Sequence, residues 1–155
     1  MNTGLHIRRL SADEPAFEIV ARWRYDAFFA QDEIPFEDSR DALRTWVRDN
    51  GYETALIAEI DGQPAGSCLF TREEIDPKHD LTPWLAALYV APEFRGQGIA
   101  SALVRAIEAH ARGVGCTELH LYTITAEPLY AKLGWTVRER FEWHGEKFVL
   151  MAREL

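Results

Sequence analysis

With 155 residues, 47% of them hydrophobic and 12% aromatic, the chain can bury a core without staples and is not a disordered segment. Twenty-five acidic residues against 17 basic ones give a net charge of −8, a field that repels nucleic acid and attracts protonated amines. No apolar run approaches the roughly 18 residues that span a bilayer.

The opening MNTGLHIRRLSADEP has neither the basic region nor the apolar region of a secretory leader, so a cytoplasmic location is expected, with no membrane or nucleic-acid partner. GLHIRRL alternates and predicts a first strand. From Glu14 to Ala30, Phe17, Val20, Ala21, Trp23, Ala27 and Phe28 recur at helical spacing. Pro35 breaks that helix, and Asp38 or Ser39 is the expected cap of a second one running through Val47 and ending near Gly51. TALIAEIDGQPAGSCLF predicts two strands joined at Asp61-Gly62, a pair that accepts the positive φ of a hairpin turn. After the loop DPKHDLTP, WLAALYV is apolar throughout and predicts a central strand buried on both faces.

A helix is expected from about Gln97 to Arg112, with Ile99, Leu103, Ala106, Ile107 and His110 on one face and Gly113 or Gly115 at its end. TELHLYT predicts another strand, and AEPLYAKLG a short helix closed by Gly134. WTVRERFEW and KFVLMAREL form a last hairpin about His144-Gly145. The order β-α-α-β-β-β-α-β-α-β-β predicts one α/β domain over residues 1–155 with a mixed sheet, and a right-handed parallel crossover around Gly98.

Arg95-Gly96-Gln97-Gly98 stands where a helix ordinarily begins with a capping side chain. A helix start offers up to four unpaired N–H groups and about half a positive charge, and glycine removes the side chains that hold an anion away. Arg95 adds a charged fork, so a diphosphate is a sensible guest. The loop is neither GxxxxGK[ST] nor a complete GxGxxG, and a plain tight turn accounts for a lone GxG equally well.

Read as R-x-x-G-x-A over Arg95, Gly98 and Ala100, the loop resembles the acetyl-coenzyme A pyrophosphate motif of the GNAT N-acetyltransferase superfamily. TITAEPLYAKLGW resembles that superfamily's second motif, A-x-x-x-Y-x-x-x-G-[FW], on Ala126, Tyr130, Gly134 and Trp135. LTPWLAALYVAPEFRGQGIA further resembles a bacterial subgroup of unknown acceptor. The element order agrees over essentially the whole chain. The resemblance implies a mostly antiparallel mixed sheet of about seven strands with four helices, splayed at a central parallel pair.

It also implies an acetyl-CoA-dependent N-acetyltransferase acting on a primary amine of a small molecule or peptide, by direct attack through a tetrahedral intermediate. By the same resemblance, the backbone of Leu88, Tyr89 and Val90 holds the pantetheine and the thioester carbonyl. The stretch Arg95, Gly96, Gln97, Gly98, Ile99, Ala100 and Ser101 takes the pyrophosphate. Tyr130 contacts the cofactor and is the general acid for the departing thiolate, its ordinary pKa near 10 suiting that leaving group. Packing alone also accounts for Tyr130, because it falls on a stripe with Ala126, Leu129 and Leu133. Many members carry asparagine where this chain has Thr123, which keeps a hydroxyl but loses the amide. The superfamily's frequent dimers make a homodimer one of the forms to test.

The base for the amine is not set by any motif. His79 and Asp80 precede the WLAALYV strand, Glu73 and Glu74 end the strand before it, and Asp32 and Glu33 lie between the first two helices. Asp80 and Glu33 are the two candidates. His6, His79, His110, His120 and His144 show no metal-binding spacing, so no metal is expected, and Cys68 and Cys116 form no CxxC pair. The alternative is a catalytically weak acyl-CoA-binding sensor or regulatory module.

Overall fold

The computed structural model describes residues 4–30, 33–48, 50–74 and 78–155, so Asp32 lies outside the described residues. Strand β1 (Leu5–Arg9) is followed by helices α1 (Pro15–Phe28) and α2 (Phe36–Trp46). Next come β2 (Thr54–Ile60), β3 (Gln63–Thr71) and β4 (Trp84–Val90), then α3 (Ile99–Gly113), β5 (Glu118–Thr123), α4 (Glu127–Lys132), β6 (Thr136–Trp143) and β7 (Glu146–Glu154). The element order expected from the sequence is the one observed. The strands form one sheet in the order β1-β2-β3-β4-β5-β7-β6, antiparallel throughout except at β4–β5.

Both hairpins turn as their sequences require. Asp61 and Gly62 have φ of 49° and 82°, and His144 and Gly145 have φ of 50° and 77°, the two successive positive values of a type I′ turn. The expected cap of α2 is different. Pro35 occupies that position, Asp38 and Ser39 fall in the first turn, and Ser39 spends its hydroxyl on Arg24.

Each face of the sheet carries its own core. On one, Phe17, Val20 and Ala21 of α1 meet Leu43 of α2 over Ile57, Leu69 and Ala86. On the other, Ile99, Leu103, Val104, Ile107 and Ala111 of α3 lie over Leu85, Leu119, Leu121, Val149 and Met151, with Tyr130 and Trp135 beside them. Each such large side chain taken out of water stabilises the fold by about 1.5–3 kcal/mol. Among the described residues no helix is long and apolar enough to cross a membrane.

One expectation for β4 is corrected. Trp84, Leu85 and Ala86 are buried, but Ala87 to Val90 are only half-buried. The strand is apolar throughout because its first half is core, while its second half loses a neighbour.

Candidate functional site

That lost neighbour is β5. The parallel pair is joined only at Trp84 and His120, with the His120 N–H donating to the Pro83 carbonyl at 3.1 Å, and no later residue of β4 pairs with β5. On its other edge, β4 stays paired with β3 but bulges. Ser67 faces Tyr89 and Leu69 faces Ala86, so Ala87 and Leu88 share the single residue Cys68. Ala87 has φ of 54°, a conformation that costs an L-residue about 1–2 kcal/mol and that the surrounding sheet enforces. The bulge turns Ala86 and Ala87 together toward the α1–α2 core and Leu88 toward the α3 core. A slot edged by backbone thus opens through the sheet between Leu88–Val90 and the end of β5.

The Arg95–Ser101 loop sits at one mouth of this slot, beside Val90. Gly96 and Gly98 both have φ of 80°, which glycine adopts freely. Gly98 is the N-cap of α3, no side chain caps the helix, and its first turn carries no acidic residue. The leading amides of a 15-residue helix therefore remain available, and they line a pocket of about 270 Å³ with Val90, Phe94, Arg95 and Leu129. Arg95 donates Nε–H to the Val90 carbonyl at 2.9 Å, which fixes its stem across the loop and leaves the far end of the guanidinium to a guest.

Tyr130 approaches the slot from α4, a helix of six residues that is too short to be stable alone. It is held at both ends. At its start the Ala126 N–H donates to Thr123 Oγ1 at 3.0 Å, so Thr123 serves as a local cap and keeps its hydroxyl hydrogen and a second lone pair for other partners. At its end the Trp135 N–H donates to the Tyr130 carbonyl, and the two rings pack at 5.8 Å. The Trp135 indole donates at 3.0 Å to the buried carboxylate of Glu108 on α3, which Arg105, Arg112 and Arg153 surround. Tyr130 is 5% exposed, and burial pushes its pKa above the ordinary value, with the neighbouring Cys68 adding in the same direction. Cys68 is itself kept a neutral thiol by burial. The Tyr130 phenol therefore carries its proton at every physiological pH.

The other mouth of the slot faces α1, where Trp23 packs on Tyr89 at 5.4 Å. Here the segment leading into β4 is pinned to β5 and β6. Tyr122 Oη accepts the N–H groups of Lys78 (3.2 Å) and His79 (3.1 Å), which uses both lone pairs. Its own hydrogen must then go to His79 Nδ1 at 2.8 Å, leaving the proton on Nε2 to donate to Glu139 at 3.1 Å. This Tyr122–His79–Glu139 chain, the bulge at Ala87 and the environment of Arg24 were not visible as site features in the sequence. The only hint was His79 standing before an apolar strand.

Val90, Arg95, Gly96, Gly98, Ile99, Ala100 and Ser101 line one pocket, Leu88 and Tyr130 share a core cluster with Val90, and Tyr89 and Thr123 lie on the two strands that part. The two base candidates do not join them by any contact among the described residues. Asp80 is exposed beside the pinned His79, and Glu33 is exposed with φ of 57° in the α1–α2 connection.

Comparison with known proteins gives a consistent answer. A sequence model described as the acetyltransferase (GNAT) family matches residues 17–135. The thialysine N-epsilon-acetyltransferase of Sus scrofa is 30% identical over 131 residues, covering 71% of this chain and 72% of that protein. Among solved structures, an aminoglycoside 6'-N-acetyltransferase complexed with coenzyme A superposes with a TM-score of 0.75 at 15% identity, over 96% of each chain. A ribosomal-protein-alanine N-acetyltransferase from Brucella melitensis superposes with a TM-score of 0.73 at 21% identity, over 97% of this chain and 99% of that one.

Proposed function

The chain belongs to the acetyltransferase (GNAT) family, and from that premise we propose that it transfers acetyl from acetyl-CoA to a primary amine of a small molecule or peptide. The observation that carries this reading is the slot itself: a sheet left unpaired past Trp84–His120, with an uncapped helix start at one mouth and a buried, protonated tyrosine beside it. The names of the relatives, each an N-acetyltransferase, support an amine as acceptor.

In this reading the pyrophosphate rests on the amides from Arg95 to Ser101. Pantetheine lies along Leu88–Val90 and replaces the ladder bonds that β5 does not supply, with the Thr123 hydroxyl at the opposite edge. The thioester reaches the bulge, where free backbone N–H groups stabilise the oxyanion of the tetrahedral intermediate. The neutral amine attacks from the α1 side. As the intermediate collapses, the carbon–sulfur bond breaks and Tyr130 gives its proton to the thiolate. Removal of the amine's proton falls to a carboxylate reached through water, for which Asp80 and Glu33 are the candidates.

Thiol release from acetyl-CoA, followed over amines, polyamines, amino acids, aminoglycosides and peptides, tests the proposal. Amine-dependent release with one of these classes is the expected result. Tight coenzyme A binding with no release across the panel would instead identify an acyl-CoA sensor. Arg95→Ala should weaken coenzyme A by about 1–3 kcal/mol, the worth of a charge-assisted hydrogen bond, by titration calorimetry. Pantetheine, which lacks the pyrophosphate, should lose nothing. An equal loss for both would place Arg95 elsewhere.

A further inference from the structure

Arg24 departs from the rule that a buried charge finds an opposite one. It occupies a core-facing position of α1, one turn after Val20 and Ala21, and is 4% exposed. Its Nη1 donates to the Ser39 carbonyl at 3.1 Å and to Ser39 Oγ at 3.0 Å. The guanidinium carbon lies 4.5 Å from the centre of the Phe29 ring and 4.8 Å from that of Trp46, cation–π contacts that suit a planar cation. Among the described residues no carboxylate comes within ion-pair distance, and Nε and Nη2 make no hydrogen bond. Neither nitrogen is fully sealed from solvent. Burial lowers its pKa to about 10, opposed among the described residues by the more distant Glu74. The unused Nε–Nη2 edge is the side of a guanidinium that grips a carboxylate with two parallel bonds.

The surroundings suit a small zwitterion. The Trp46 ring that covers Arg24 also lines a pocket of about 380 Å³, shared with Glu53, Arg72, Glu73 and Glu74. That is within the size range of small-molecule sites. Glu74, on the wall of this pocket, also acts electrostatically on Arg24. Next to Arg24 in sequence, Trp23 touches Tyr89, two residues beyond the bulge.

We propose that the Nε–Nη2 edge of Arg24 is a carboxylate-binding subsite on the acceptor side, and that the amine acetylated here belongs to a small amino acid. Its carboxylate is held by Arg24 and its positive charge is met by the neighbouring glutamates. The proposal rests on the acetyltransferase reading above for the fate of the bound amine, but not for the binding itself.

Lysine and cadaverine differ only in the carboxylate. In protein saturated with coenzyme A, titration calorimetry should show lysine binding about 10–100-fold more tightly than cadaverine, the range for charge-assisted hydrogen bonds. Arg24→Gln should close that gap to within about threefold while leaving coenzyme A affinity unchanged, and Arg24→Lys should restore part of it. Melting curves of both variants establish that they are folded. Equal binding of lysine and cadaverine by the parent, an undiminished gap in folded Arg24→Gln, or no binding of either at millimolar concentration would each overturn the proposal. A gap that depends on Arg24 without thiol release from acetyl-CoA would keep the subsite and reject the transfer reaction.

Discussion

Tyr130→Phe lowers turnover by about 10²–10⁴-fold, the usual worth of a positioned acid. Melting temperature and coenzyme A affinity stay near those of the parent. The substitution keeps the ring that packs on Trp135 and keeps the backbone bonds that fix α4, removing one oxygen and its proton. The test is kcat under conditions where chemistry limits the rate. A change of less than about threefold would leave water or the coenzyme as the proton source, and Tyr130 as a core residue. The pH profile supplies a second check. A group whose pKa rises on folding is in its protonated form below that raised value, so burial of Tyr130 extends its donor form beyond the ordinary phenol range. No alkaline fall in rate between about pH 8 and 10 should therefore trace to this residue.

Gly98→Val abolishes coenzyme A binding in a protein that still folds. Two effects act at once. A β-branched side chain at φ of 80° is strained by about 1–2 kcal/mol, and its methyl groups stand in front of the uncapped amides of α3. Gly96→Ala is the control. Its φ is also 80°, but an added Cβ there meets no protein atom within 4 Å, so the alanine carries the strain with a single methyl in the pocket and should weaken coenzyme A far less than the valine does. Calorimetric titration of both variants, with circular dichroism to confirm folding, decides the matter. Undiminished affinity in folded Gly98→Val would remove the pyrophosphate from this loop.

Most of the fold was legible because its signals are local. Asp61-Gly62 and His144-Gly145 write their turns in residues that accept positive φ, and Phe17, Val20 and Ala21 mark the buried stripe of α1. The conformation of the Arg95–Ser101 loop was legible for the same reason, since Gly96 and Gly98 take the positive φ that glycine accepts. The bulge was not. Ala87 adopts φ of 54° without being glycine, inside a strand whose sequence gives no break, because pairing with β3 on one side and its loss on the other create the conformation. Arg24 was equally hidden. Its spacing marks it as one more member of a core stripe, and only three-dimensional packing shows which partners it has. The cap of α2 was misplaced because Asp38 and Ser39 suit that role by residue type, whereas Ser39 is taken by Arg24 across the helix pair.

The single Trp84–His120 rung has a mechanical meaning. It divides the sheet into two plates, β1 to β4 and β5 to β7, whose strands pair with one another at one end only. In the binding mode proposed above, a coenzyme whose amides lie along the open seam would act as the missing strand and rivet the plates together. Rigidity then becomes a readout of metabolic supply: at a thousand times its Kd, such a ligand adds about 4 kcal/mol to folding stability. An enzyme built this way is firmest when charged for reaction, and its substrate serves as part of its own scaffold.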